Sequence, residues 1–167
     1  ERTQGLSTVE WVATGIPAFR VSTRDLAGRF EIEKWIWTEP TRNVVRMRVI
    51  FHAHTPGLTL YVLHNPAVGG TPMSNSAVVR SEVGGSALAP GEGLFAWDGE
   101  FAQAWLTTLP IQSASASFSG PFDLFQDLKA DGLMNLHFDE ALDGNVVLGA
   151  KLAELKTGDT EFEVAIS

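Results

Sequence analysis

The stretch Asn43–Phe51, NVVRMRVIF, alternates apolar and charged residues with a period of two. Val45, Met47, Val49 and Phe51 fall on one side of an extended chain, and Arg46 and Arg48 fall on the other. That is the pattern of a half-buried β-strand, because successive side chains of a strand point to opposite faces. The same alternation recurs in EFEVAIS (Glu161–Ser167), where Phe162, Val164 and Ile166 oppose Glu161 and Glu163. NVVLGAKLAEL (Asn145–Leu155) and LTLYVL (Leu58–Leu63) are apolar on both faces, as expected of strands covered on two sides. Turn signals separate the runs: Glu39-Pro40, Thr55-Pro56-Gly57, Gly69-Gly70, Gly84-Gly85, Asp98-Gly99 and Asp143-Gly144. Short strands with such spacing predict an all-β fold, a large antiparallel β-sandwich, formed as a single domain over residues 1–167. One helix is expected, from about Pro121 to Ala130, with Phe122, Phe125 and Leu128 as its apolar stripe and Asp131-Gly132 as its end. There is no internal repeat, and the only compositionally biased tract is the short SASASFS at Ser113–Ser119.

Composition narrows the function. The chain has 167 residues, 44% of them hydrophobic and 19% charged, a globular rather than a disordered balance. Twelve basic residues against twenty acidic ones give a net charge of −8, and the basic residues are scattered. This argues against nucleic acid or an anionic membrane as partner. No apolar run reaches the roughly 18 residues of a membrane span. Cysteine is absent, so disulfides and thiolate metal sites are excluded, while the compartment (secreted, periplasmic or cytoplasmic) stays open. The chain begins at Glu1 with neither Met nor signal peptide, which suggests a piece of a larger protein.

FQDLKADG (Phe125–Gly132) lacks the alternating oxygen ligands of a calcium loop, and Lys129 stands where a ligand would be needed. Asp139–Asn145, with its Asp143-Gly144 step, reads as a hairpin turn between two strands. His52 and His54 form an H-x-H pair on one strand face, a spacing that can bind zinc. A hairpin turning at Pro56 would set His64 opposite Arg48, leaving His64 about 13 Å from His52, too far for a shared ion. His137 stands alone. No metal and no cofactor are therefore expected. GEGLFA (Gly91–Ala96) lacks the third glycine of a phosphate-binding loop, and there is no G-x-S-x-G elbow. Acidic pairs such as Glu31/Glu33 or Asp139/Glu140 serve glycoside hydrolysis only if a cleft brings them about 5–10 Å apart. No catalytic residue is assigned.

The aromatics offer more. Trp35 and Trp37 share a strand face with Glu31 and Glu33, while Phe30, Ile32 and Ile36 take the opposite one. Two indoles about 7 Å apart could stack on sugar rings beside carboxylates that accept hydroxyl hydrogen bonds. The same residues suit packing between sheets or contact with another domain, with burial preferred. Trp97 and Trp105, flanking Asp98-Gly99, read as core, and Trp11 is left without a role.

In order along the chain, several segments resemble the N-terminal domain of bacterial glucoamylases and glucodextranases of glycoside hydrolase family fifteen. They are Gly28-Arg29-Phe30, Thr38-Glu39-Pro40-Thr41-Arg42, Leu60-Tyr61-Val62-Leu63, Phe125-Gln126-Asp127-Leu128 and Phe138-Asp139-Glu140-Ala141-Leu142-Asp143-Gly144-Asn145. The similarity runs from about Phe19 to Ile166. It implies an antiparallel supersandwich of the galactose-mutarotase-like type, without catalytic residues, packed before an (α/α)6 barrel that hydrolyses α-glucosidic bonds of starch- or dextran-type glucans. Phe125-Gln126-Asp127-Leu128 and Asp143-Gly144 then become structural motifs. Phe125 replaces the family's Trp, and Phe122 and Leu124 replace small residues. The family's longer N-terminal portion is missing or replaced, which would leave sheet edges for a shortened topology, a second copy or another chain to cover. Two other classes compete: a free-standing carbohydrate-binding module using Trp35 and Trp37, and a mutarotase-type sugar enzyme.

Overall fold

The computed structural model describes residues 5–80 and 92–167. Its strands are β1 (Gly5–Trp11), β2 (Ala18–Asp25), β3 (Phe30–Thr38), β4 (Val45–Ala53), β5 (Leu58–His64), β6 (Asn75–Arg80), β7 (Gly93–Asp98), β8 (Phe101–Thr107), β9 (Ser113–Phe118), β10 (Glu140–Gly144), β11 (Val146–Leu155) and β12 (Gly158–Ile166). One helix, α1 (Leu124–Asp131), lies between β9 and β10. The all-β class and the single helix expected from the sequence are what the described residues adopt. The Gly84-Gly85 turn and Gly91 of GEGLFA lie outside the described residues; Gly93 of that motif opens β7. No described helix is long and apolar enough to cross a membrane.

The chain divides into two compact units, one built from the chain up to Thr59 with Glu154–Ser167, the other from Leu60–Ala153. In the first unit the strands run antiparallel in the order β1-β2-β3-β4-β12. β4 pairs along its whole length with β3 on one side and β12 on the other, from Val45 opposite Thr38 and Ile166 to Ala53 opposite Phe30 and Gly158. The register puts Ile32 beside Phe51, Ile36 beside Met47 and Phe162 beside Val49, so one face is apolar. Val49, Phe51, Phe162 and Val164 are buried, and the Phe30 and Phe51 rings stack with centroids 5.3 Å apart. Lys34 interrupts the row between Val21 and Val49.

The second unit is a sandwich. One layer is the ladder β8-β7-β6-β10 and the other is β5-β11-β9, with β6 and β10 lying against β9. Ala77, Leu94, Ala96 and Trp105 of the first layer are buried, as are Ala116, Val146, Leu148 and Ala150 of the second. Buried Asn75 is satisfied on both ends of its amide. Its Oδ1 accepts from the Val68 N–H (2.9 Å), and its Nδ2 donates to Val68 O (3.2 Å) and Thr71 O (2.8 Å). β11 is buried on both faces over Val146–Ala150, as its unbroken apolar run foretells.

Four expectations need correction. First, β4 and β5 form no hairpin: β5 joins β11, and Arg48 faces Trp35 and Glu163 rather than His64. Both sides of β4 are already taken by β3 and β12. His64 instead bonds Gln103 through Nε2 to Oε1 at 2.6 Å. Second, the Asp143-Gly144 step is a corner between sheets and not a hairpin, since β10 pairs with β6 while β11 pairs with β9. Asp143 takes φ 61°, and a Cβ on Gly144 would stand 2.7 Å from the Phe118 ring. Third, Trp97 is not core. The Asp98–Phe101 pair fixes Leu94 opposite Trp105, and position 97, three residues from 94, must face the other way. Trp105 is 3% exposed and Trp97 37%.

Fourth, the helix starts later than expected and buries a different stripe. The Asp123 carboxylate caps it by accepting from Gln126 N–H (2.9 Å), which leaves Phe122 ahead of the helix and 88% exposed. Gly132 ends it at φ 79°, its N–H returning to Leu128 O. Leu124, fully buried, packs with Met134 and Val147, and Leu128, Leu136 and Tyr61 close around them. The helix comes this close because Gly149 of β11 has no side chain: a Cβ there would meet Leu124 Cδ1 at 2.9 Å. Leu124→Ala should cost about 2–5 kcal/mol, read as a lowered denaturant midpoint. Phe122→Ala, two residues earlier, should stay within about 0.5 kcal/mol. Equal losses in the two variants would contradict the placement of the helix.

Candidate functional site

Alternation along β3 sends Glu31, Glu33, Trp35 and Trp37 to the face opposite the apolar row, and pairing decides what each one meets. Glu31 lies between Arg24 and His52, Glu33 between Ser22 and Ile50, Trp35 between Arg20 and Arg48, and Trp37 between Ala18 and Arg46. Direct and diagonal neighbours on one sheet face are within side-chain reach. Arg20 grips Glu33 with two nitrogens (Nη2–Oε1 2.9 Å, Nε–Oε2 3.2 Å) and also approaches Glu10 at 3.7 Å. Glu31 accepts from Ser22 Oγ (3.0 Å) and from Arg24 Nη2 (3.1 Å). Arg46 bonds Glu163 and lies 3.5 Å from Glu39, while Arg48 meets Glu161 at 2.7 Å. His52 sets Nδ1 2.7 Å from Asp159 Oδ1, with Nε2 3.9 Å from Glu33.

Both indoles are half-buried and covered on a face by a cation. The Arg20 guanidinium stands 5.5 Å from the Trp35 ring centre and that of Arg46 5.9 Å from Trp37. The sequence placed the four residues together on one face, and the structure does bring them together. It adds the arginines, which the alternation of β3 alone could not show because they come from β2 and β4. The Ser22 hydroxyl and Arg24 hold the Glu31 carboxyl below its usual range, and the Arg48 hydrogen bond does the same for Glu161. Carboxylates held ionised in this way accept hydrogen bonds but make poor proton donors. His54 stands apart, its backbone N–H bonded to Arg29 O at 2.8 Å. Among the described residues no group of three or more His, Asp or Glu side chains is placed to hold a metal.

In the second unit, Asp127 ties the helix to the segment after it. Burial alone would raise its pKa, but the Leu136 and Asn135 N–H groups, at 3.0 and 2.7 Å, outweigh that and lower it. Asn135 Nδ2 adds bonds to Asp127 and Asp131. Phe125 is half-buried and Gln126 exposed. The acidic stretch is thus closed on itself as a turn. Three aromatic rings open to solvent lie nearby, Phe118, Phe122 and Phe138, at 49%, 88% and 51% exposure; the sequence reading puts Phe122 in the apolar stripe of the helix and gives the other two no role. A Phe directly after Gly120-Pro121 was the available signal.

A local ion pair sits at the β2–β3 turn. Asp25, buried, takes Arg29 Nε at 2.7 Å, Nη2 at 3.1 Å and the Arg29 backbone N–H at 3.1 Å. The Arg29 side-chain hydrogen bond pulls its pKa from 3.8 down to about 2. A depressed folded pKa gives stability that is present above the unfolded value and lost as pH falls through the folded one. Asp25→Asn should therefore lower stability at neutral pH, and the gap to the parent should close between about pH 4 and 2, followed by urea unfolding. A gap that stays constant across that window would contradict the assignment.

Comparison with known proteins agrees with this architecture. The family model of glucodextranase domain N matches residues 1–167. The crystal structure of a bacterial glucoamylase complexed with acarbose superposes with a TM-score of 0.83 at 24% identity, over 98% of this chain and 23% of that one. This chain therefore spans under a quarter of that glucoamylase. No curated protein matches the sequence.

Proposed function

Because the chain belongs to the glucodextranase N-domain family, we propose that it is the non-catalytic domain of a glucoamylase-like glycoside hydrolase. The full enzyme would hydrolyse α-glucosidic bonds of starch- or dextran-type glucans, and this domain would support the catalytic barrel by packing on it. The family match over the whole chain carries the reading. Two features of the structure support it. An inverting or retaining glycosidase needs one carboxyl kept protonated to serve as acid. Asp25, Glu31, Asp127 and Glu161 are displaced the other way. The apolar face of the first unit also ends in the exposed side chains of Val9 and Trp11, which continue the row of Val21 and Phe19. An apolar strip of this kind at an edge strand suits a domain contact.

The purified chain should release no glucose from maltooligosaccharides or dextran. Release that disappears on substituting Glu31 or Glu33 would overturn the non-catalytic reading. The reading frame that carries this domain should also encode a helical barrel, and a frame without one would remove the packing role.

A further inference from the structure

We propose that the open edge of β1 is a self-association surface, taken by β1 of a second copy of this chain. β1 ends its sheet and pairs with β2 without interruption, from Gly5 opposite Asp25 to Trp11 opposite Phe19. Just past that ladder the Val12 N–H donates to Ala18 O at 3.0 Å. Hydrogen-bonded and non-bonded pairs alternate along an antiparallel ladder. Leu6, Thr8 and Glu10 therefore bond inward to β2, and Gly5, Ser7, Val9 and Trp11 turn their N–H and C=O groups outward. Side chains agree with this parity, because non-bonded pairs stand closer together. Ser7 Oγ is 2.9 Å from Thr23 Oγ1, and the Trp11 and Phe19 ring centres are 4.4 Å apart. Among the described residues nothing accepts from or donates to the outward groups.

Sheet edges that stay single are usually blunted by bulges, prolines, lysines or shortness. β10, at the end of its own ladder, is five residues long and bulged between Ala141 and Gly144. β1 has seven residues, GLSTVEW, with no proline, lysine or bulge, and is exposed from Leu6 to Trp11. Its one charge, Glu10, already lies 3.7 Å from Arg20. The strand is also complementary to itself. A two-fold axis at Thr8 sets Gly5 opposite Trp11 of the second copy and Ser7 opposite its Val9. Every outward group then finds a partner, about eight hydrogen bonds in all. Glu10 falls opposite Leu6, and no like charges meet. An axis at Glu10 would oppose two carboxylates, and one at Val9 would leave Gly5 unpaired. The contact is isologous and uses up both edges, so it stops at two copies. Pairing through the backbone leaves the Val9 and Trp11 side chains on the apolar face, so the proposal does not rest on the packing role above. An interface one strand wide lies at the small end of specific interfaces, roughly 1,200 Å2 or less, which makes the dimer reversible.

Sedimentation equilibrium from about 1 μM to 1 mM should show a monomer passing to a dimer and no larger species. Val9→Pro removes an outward N–H and should abolish the dimer while leaving the unfolding midpoint near the parent's. Thr8→Pro removes an inward N–H and should lower the midpoint. Because the chain has no cysteine, single replacements report the register directly. Under mild oxidation Thr8→Cys, on the axis, should form the disulfide dimer several-fold faster than Glu10→Cys, on the same strand face. A monomer at every concentration, the result if another strand of a longer chain is the partner of this edge, overturns the proposal. So does a dimer that survives Val9→Pro, growth beyond two copies, or equal cross-linking of the two cysteine variants.

Discussion

The register of β3 between β2 and β4 is the constraint on which the first unit depends. It aligns Glu31 with Arg24 and His52, and Trp35 with Arg20 and Arg48, while turning Ile32 and Ile36 toward Phe51 and Met47. A slip of one residue would invert every side chain, bringing the charged row onto the apolar face. Exposed ion pairs contribute little each, so their value here lies in selecting one register among several. The apolar row supplies burial, and the charged row makes the alternative pairings unfavourable by setting like charges or unpaired carboxylates side by side.

The same register pairs the charges of the polar face with one another. Glu31 and Glu161 are held ionised by hydroxyl and guanidinium donors, and the indoles carry Arg20 and Arg46, which pair Glu33 and Glu163. The second unit differs. There, Gly149 lets Leu124 dock onto β11, and the cap at Asp123 then leaves Phe122 outside the helix and in solvent. The open aromatic surface follows from where the helix begins. Fold alone assigns neither surface a function.

Strands with strict alternation were legible in the sequence because period two reports local geometry directly: β4, β12 and the face assignments of β3 follow from it. The near-continuous apolar run of β11 announced burial on two sides. Pairing over long sequence distance was not legible. β12 lies next to β4, more than a hundred residues away, and nothing between Pro56 and Gly57 says that β5 will leave for another sheet. Trp97 and Trp105 show the limit of composition, since two equally apolar residues on one hairpin are separated by parity alone. The Trp35/Trp37/Glu31/Glu33 face was readable as a set, but the arginines covering it come from neighbouring strands. The cluster of open phenyl rings was invisible for a related reason: Phe118, Phe122 and Phe138 belong to β9, a loop and the approach to β10, joined only by the packed fold.

The central claim is that the acidic face of the first unit is an ion-pair lattice rather than a proton-transfer site. Carboxyl-detected NMR titration of the side chains of Glu31 and Glu161 measures this directly. Both should titrate below the ordinary glutamate range, Glu31 losing most of its depression with Ser22→Ala and more with Arg24→Gln, and Glu161 losing its own with Arg48→Gln. A carboxyl on this face that instead stayed protonated toward neutral pH would be poised as a general acid, and would contradict the account.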